Sequence, residues 1–149
     1  TRPASQGTRV HQMSMYVVFE SPLQMLSDSP SRYRENQECT DFIASVPTVW
    51  DETRALDGKI GEYIIMARRT GESWFIGALT SWTERVVEID LSFLPEGEYT
   101  LEMFHDGANS NRYAQDYKKE IRDVSGGEKI TVELASGGGW VGRLTPGRK

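Results

Sequence analysis

The chain has one cysteine, Cys39, and two histidines, His11 and His105, in 149 residues. One cysteine excludes an internal disulfide, and two distant histidines make no Cys/His metal cluster. Basic residues are in deficit: 17 Lys and Arg against 22 Asp and Glu, a net charge of -5, with the two signs interspersed. A surface that tracks phosphates needs clustered cations, so nucleic acid is excluded as a partner. No Gly-x-Ser-x-Gly elbow occurs, and Gly137-Gly138-Gly139-Trp140 lacks the Lys-Ser/Thr sequel of a phosphate loop. That triplet reads as a flexible entry to the last strand. No internal repeat is present. What remains, 38% hydrophobic and 26% charged residues, is the composition of one ordinary globular domain with an appendage.

The appendage is helical. Val10, Met13, Val17, Met25 and Leu26 fall near helical spacing, and Met15, Tyr16, Val18 and Phe19 fill most of the remaining circumference. This predicts a helix over Met13 to Leu26, interrupted by Ser21-Pro22 and buried on nearly all sides. It is shorter than the roughly 20 residues that a membrane span needs, and neither a basic n-region nor a small-residue cleavage site precedes it, so a signal peptide is not expected. Asp28-Ser29-Pro30-Ser31 reads as a stop and a new start, with a second helix over Glu35 to Ala44. At Val46-Pro47-Thr48 the apolar period falls from near 3.6 to 2, which places a domain boundary there.

Eight short strands follow. Val49 to Leu56 ends at a hairpin signal, Asp57-Gly58, and Lys59 to Arg69 and Ser73 to Leu79 are apolar on both faces, as central strands are. Arg85 to Leu91 points Val87, Ile89 and Leu91 inward and Glu88 and Asp90 outward. Strands around Tyr99 to Met103, Tyr117 to Val124, Lys129 to Leu134 and Trp140 to Leu144 complete the set, with a long polar connection over His105 to Asp116. Strands at this spacing, without intervening helices, predict a mainly β chain: an antiparallel β-sandwich preceded by one or two helices.

Little of this carries chemistry. Glu88, Asp90 and Glu102 lie on outward strand positions, and Asp57, Glu72 and Glu96 in turns, where solvation accounts for them. Asp106 to Asn111 lacks the alternating ligands and closing Glu of a calcium-binding EF-hand loop. His11 and His105 read as packing or surface groups. Of the four tryptophans, Trp50, Trp74 and Trp140 fall where core packing is the default, whereas Trp82, in the turn Thr80-Ser81-Trp82-Thr83, is the candidate platform for stacking on a sugar ring.

Several longer runs carry a resemblance. Gly7-Thr8-Arg9-Val10-His11-Gln12-Met13, Tyr16 through Leu26, Asp28-Ser29-Pro30, Pro47 through Thr53, Leu91 through Gly97 and Gly137-Gly138-Gly139-Trp140 resemble, in order, the end of glycoside hydrolase family 97 proteins. The resemblance implies a parent of three parts: an N-terminal β-sandwich, a catalytic (β/α)8 barrel and a C-terminal β-sandwich acting on α-linked glucosides or galactosides. Residues 1–47 would then be the end of the barrel, its last helix within residues 1 to about 30, and residues 48–149 the C-terminal sandwich. The family's catalytic carboxylates and calcium-binding glutamates lie on earlier barrel strands, so the resemblance carries no catalytic residue, metal ligand or cofactor onto this chain. Only Thr8 to Gln12 would approach the pocket. Calcium, the α-linked oligosaccharide substrate and a periplasmic location are implied for the parent. The expected function is non-catalytic: the sandwich packs against the missing barrel and supports it. The alternative is a carbohydrate-binding module using Trp82. Deprived of the barrel, the greasy helix should self-associate or fold onto the sandwich.

Overall fold

A computed structural model of the chain describes residues 7–19 and 36–147. Two helices, α1 (Arg9–Val18) and α2 (Gln37–Ser45), precede eight strands: β1 (Glu52–Lys59), β2 (Tyr63–Thr70), β3 (Ser73–Thr80), β4 (Arg85–Asp90), β5 (Glu98–Asp106), β6 (Tyr117–Ser125), β7 (Lys129–Leu134) and β8 (Gly139–Pro146). A 3-10 turn, Leu91–Phe93, follows β4. All strand pairings are antiparallel. Six strands form one sheet in the order β1-β2-β3-β8-β5-β6, and β4 and β7 pair separately.

The large sheet is covered on both faces, which explains the doubly apolar pattern of its central strands. Ile65, Ala67, Trp74, Ile76, Ala78, Leu101 and Leu144 meet Val87, Ile89, Ile130, Val132 and Leu134 of the β4–β7 pair. Their sequence neighbours point the other way, where Phe75, Phe104 and Val141 pack with Val10, Met13, Tyr16 and Val17 of α1 and Cys39, Phe42 and Ile43 of α2. Val10, Met13 and Val17 are fully buried. The helix-facing layer is aromatic: Phe42 meets Phe104 edge-on at 5.2 Å, and Trp50 meets Phe75 at 5.5 Å. Thus α1 lies on the sandwich, one of its two expected fates. The expected β-sandwich with preceding helices is present.

Close approach of α1 requires a sheet without side chains beneath it. A Cβ at Gly77 would stand 2.9 Å from the Ser14 carbonyl and 3.0 Å from the Val18 side chain. Nothing larger than glycine fits at that crossing without lifting the helix.

Several element ends differ from the sequence expectation. The first helix begins at Arg9, not Met13, because Thr8 caps it, its side-chain oxygen accepting from the His11 amide at 3.0 Å. It ends at Val18, whose carbonyl accepts from the buried Arg68 guanidinium at 2.8 Å, and Phe19 is already extended. The expected continuation over residues 20–26 lies outside the described residues. The second helix starts two residues later than expected, capped by Asn36. The first strand begins at Glu52, and Asp57-Gly58 does not turn the chain. Instead the register shifts between Ala55 and Asp57, the strand continues to Lys59, and Gly61 supplies the turn with φ of +78°. Asp57 folds onto its own neighbour, accepting from the Gly58 amide at 2.8 Å. Among the described residues, no helix is long and apolar enough to cross a membrane.

Replacing Gly77 with Val should therefore destabilise the chain by about 2 kcal/mol through overpacking under α1. Val86→Ala, on the exposed face of β4, should change stability by less than about 0.5 kcal/mol. Urea unfolding of both variants distinguishes the two; equal midpoints would refute the tight helix–sheet contact.

Candidate functional site

Asp106, at the end of β5, accepts three hydrogen bonds. Its Oδ1 accepts from the Thr8 hydroxyl at 2.7 Å, and its Oδ2 from the amides of Ala135 at 2.9 Å and Gly139 at 3.1 Å. One carboxylate therefore ties the α1 N-cap, the end of β5 and the β7–β8 connection together. His11, one turn into α1, completes the junction: its Nδ1 lies 3.0 Å from the Gly138 carbonyl. A carbonyl only accepts, so Nδ1 carries the proton. The Thr8 amide donates to the Gly137 carbonyl at 2.9 Å, and the Arg9 amide to the Ala114 carbonyl at 2.8 Å.

The triple glycine is the floor of this junction and is not flexible as expected. Gly137 adopts φ of +61° and lies under the Trp82 ring, where a Cβ would stand 2.5 Å from the indole. At Gly138 a Cβ would stand 2.0 Å from Asp106 Oδ2, and at Gly139 2.6 Å from the His11 Cα. All three amides donate, to Ser81, Ala135 and Asp106. Each glycine makes room for a different neighbour.

Trp82 is the one tryptophan that stays exposed, at 57%, whereas Trp74 and Trp140 are buried. Its indole rests on Gly137, and its carbonyl accepts from the Ser136 hydroxyl at 2.6 Å. The ring is thus backed by the same turn that holds α1.

Burial governs the titration of the junction. It lowers His11 below the ordinary histidine value, opposed by the bond to Gly138 and by the Asp106 charge. Burial raises Asp106, opposed by its three donors and by His11. With both oxygens engaged by donors from Thr8, Ala135 and Gly139, Asp106 braces the fold.

A groove of about 750 Å³ beside α1 is lined by His11, Ala55, Ile64 and Leu79, with Asp57 and Glu62 among its other lining residues. Asp57 accepts from the Tyr63 hydroxyl at 3.0 Å, and Glu62 pairs with Lys59 at 3.8 Å and Arg85 at 3.7 Å. Hydroxyl and cationic neighbours hold these carboxylates in place. The connection after β5 closes on itself: Asp116 accepts from the Asn109 amide at 2.9 Å, and the Ser110 hydroxyl donates to the Gly107 carbonyl. Among the described residues no group of three or more His, Cys, Asp or Glu stands where a metal could be held. The sequence reading missed Thr8 and Asp106 as a pair because 98 residues separate them.

Comparison with known proteins agrees with the fold. The family described as "Glycosyl-hydrolase 97 C-terminal, oligomerisation" matches residues 49–145. A retaining alpha-galactosidase of Bacteroides thetaiotaomicron is 50% identical over 140 residues, 94% of this chain and 21% of its own. A probable retaining alpha-galactosidase of Streptomyces bingchenggensis is 30% identical over 129 residues, 87% of this chain and 19% of its own. The chain thus spans about a fifth of the curated relatives it matches. Among solved structures, a glycoside hydrolase family 97 enzyme of Pseudoalteromonas sp. strain K8, in complex with acarbose, superposes with a TM-score of 0.85 at 31% identity, covering 96% of this chain and 23% of that one.

Two outcomes test the junction. Asp106→Ala strands three donors and should cost about 3 kcal/mol in urea unfolding, whereas Asp106→Asn, whose amide can serve the same partners, should cost less than half of that. For His11 the folded-state value lies below the unfolded value near 6.5, so on acidification the unfolded chain takes the proton first. Stability that His11 contributes above that value is lost as pH falls through the window beneath it. The stability gap between the wild type and His11→Asn should therefore narrow between pH 8 and pH 5; a constant gap would show that His11 is not held neutral.

Proposed function

The chain belongs to the family of glycoside hydrolase 97 C-terminal domains, and from that premise we propose that it is the non-catalytic, assembly-forming end of an α-galactosidase. Its sandwich holds the last helix of the catalytic barrel and joins copies of the enzyme to one another. One observation supports this most strongly: α1, which resembles the end of the barrel, buries Val10, Met13 and Val17 completely against the sandwich and is pinned by Asp106. Buried apolar side chains of this size contribute about 1.5–3 kcal/mol each, so the sandwich and the barrel end move as one body. The family's printed description names oligomerisation. The 50% identical relative is a retaining alpha-galactosidase, which favours α-galactosides over α-glucosides as the parent's substrate. Catalysis, calcium and a periplasmic location belong to the parent on this reading.

A second reading, sugar binding at Trp82, is favoured by the exposed indole backed by Gly137. Titration with α-galactosyl and maltooligosaccharides, followed by tryptophan fluorescence, tests it. A saturable change lost in Trp82→Ala would establish it, and a flat response would remove it.

The main reading predicts that the isolated chain does not hydrolyse an aryl α-galactoside, while the full-length parent does. Asp106→Ala in the parent should lower its melting temperature by about 4–8 °C or less, given its larger size, and leave kcat/KM within about twofold at 25 °C. Turnover by the isolated chain would sink the non-catalytic role. A selective loss of kcat in the Asp106→Ala parent, with its melting temperature unchanged, would place this junction in catalysis instead.

A further inference from the structure

The two edges of the large sheet are built differently. At β1 the pairing is broken by the shift after Ala55, a common device for blunting an edge. At β6 the pairing with β5 runs unbroken from Tyr117 to Ser125, and the strand contains neither proline nor glycine. Its outer side carries a row of backbone donors and acceptors with no strand beyond it among the described residues. At its centre Ile121 is 62% exposed.

The residues around Ile121 are charge-palindromic: Lys119-Glu120-Ile121-Arg122-Asp123. We propose that β6 is a self-recognition edge, pairing antiparallel with β6 of a second copy about a two-fold axis at Ile121, so that one sheet runs through both. This rests on the self-association reading above and names its surface.

In that register Ile121 stands opposite Ile121 of the second copy, Glu120 opposite its Arg122, and Lys119 opposite its Asp123. Symmetry makes each mixed pair occur twice, as an isologous contact demands. Lys119 and Ile121 lie opposite Phe104 and Glu102 of β5, while Glu120 and Arg122 lie opposite Met103 and Leu101. The Lys119–Asp123 pairs and the isoleucines therefore share the helix-bearing face, and the Glu120–Arg122 pairs share the other. Directly opposite side chains in such a ladder stand about 4.5–5.5 Å apart at Cβ, within reach of ion pairs. A half-residue slip of the axis would set Lys119 opposite Arg122, so repulsion opposes that neighbouring register.

The local partners already orient these charges. Lys119 Nζ lies 3.3 Å from Glu102 and 4.0 Å from Glu38, Glu120 lies 2.7 Å from His105 Nε2, and Arg122 donates to Glu128 at 2.6 Å. Among the described residues Asp123 makes no ion pair, and its side chain is exposed. An ammonium has three donors, so Lys119 retains capacity for Asp123 of the second copy. Charges on an edge strand ordinarily keep it from pairing. Here their order makes them attract a copy of themselves.

Sedimentation velocity over a concentration series, on this chain and on the full-length parent, tests the proposal with four variants. The wild type should dimerise. Lys119→Asp and Asp123→Lys should each weaken the dimer by about tenfold or more, and Ile121→Asp should abolish it by facing like charges at the axis. The double variant Lys119→Asp/Asp123→Lys exchanges the charges and should restore the wild-type affinity to within about threefold. Asp123→Lys disturbs no ion pair among the described residues, so its effect should not be one of folding, and thermal unfolding of each variant checks this. A dimer that withstands all four variants would overturn the β6 edge while leaving self-association intact. A wild type that stays monomeric throughout would overturn both.

Discussion

The large sheet is apolar on both faces, and the rest of the structure answers that constraint. A sheet with one wet face needs one partner layer; this one needs two. The β4–β7 pair supplies the first. The second comes from α1 and α2, whose apolar side chains cover Phe75, Phe104 and Val141. Covering them closely demands backbone against backbone, and Gly77 beneath α1 and Gly139 beneath His11 remove the side chains that would hold the helix away. Losing the helix layer would expose three large apolar side chains at once, which makes α1 an integral part of the sandwich and not an appendage to it.

That role also explains why a polar junction sits at the helix N-terminus. The first turn of a helix leaves unpaired amides, and at α1 they lie over the sheet, where unpaired groups are costly. Thr8 satisfies one by capping and donates its hydroxyl hydrogen bond to Asp106, which in turn accepts from amides of the β7–β8 connection. Burial pushes His11 and Asp106 in opposite directions, His11 toward the neutral base and Asp106 toward the neutral acid. Their attraction opposes both shifts, so each is smaller than burial alone would make it.

Local periodicity made the strands legible. Alternation in β4 and β7 and the double apolarity of β2 and β3 read directly as burial, and the inward Val87 and Ile89 are where the pattern puts them. Turn chemistry was less legible: Asp57-Gly58 carries a strong hairpin signal, yet Gly61 three residues on won the turn, and only the register with β2 decides between them. The helix start was misplaced because apolar spacing locates a buried face, whereas a cap locates an end. Long-range polar contacts left no trace at all. Nothing in the sequence near Asp106 announces Thr8, and the triple glycine looked flexible because the three neighbours that require it are distant in the chain. Trp82 was legible as exposed because it sits in a turn, but its backing by Gly137 was not.

Net charge alone argues against self-association, since two copies at -5 each repel. That repulsion is a property of the whole surface and is screened beyond about 8 Å at physiological ionic strength. Pairing at β6 acts at contact distance, where order matters more than sum. From Lys119 to Asp123 the charges cancel, so the edge is locally neutral on a negative protein, and the general repulsion holds every other surface apart while leaving this one free to meet its copy. The same order also limits the assembly: a two-fold axis consumes the edge on both partners, and the opposite edge at β1 is blunted by its register shift. A sheet edge built this way closes at a pair and does not grow into a filament.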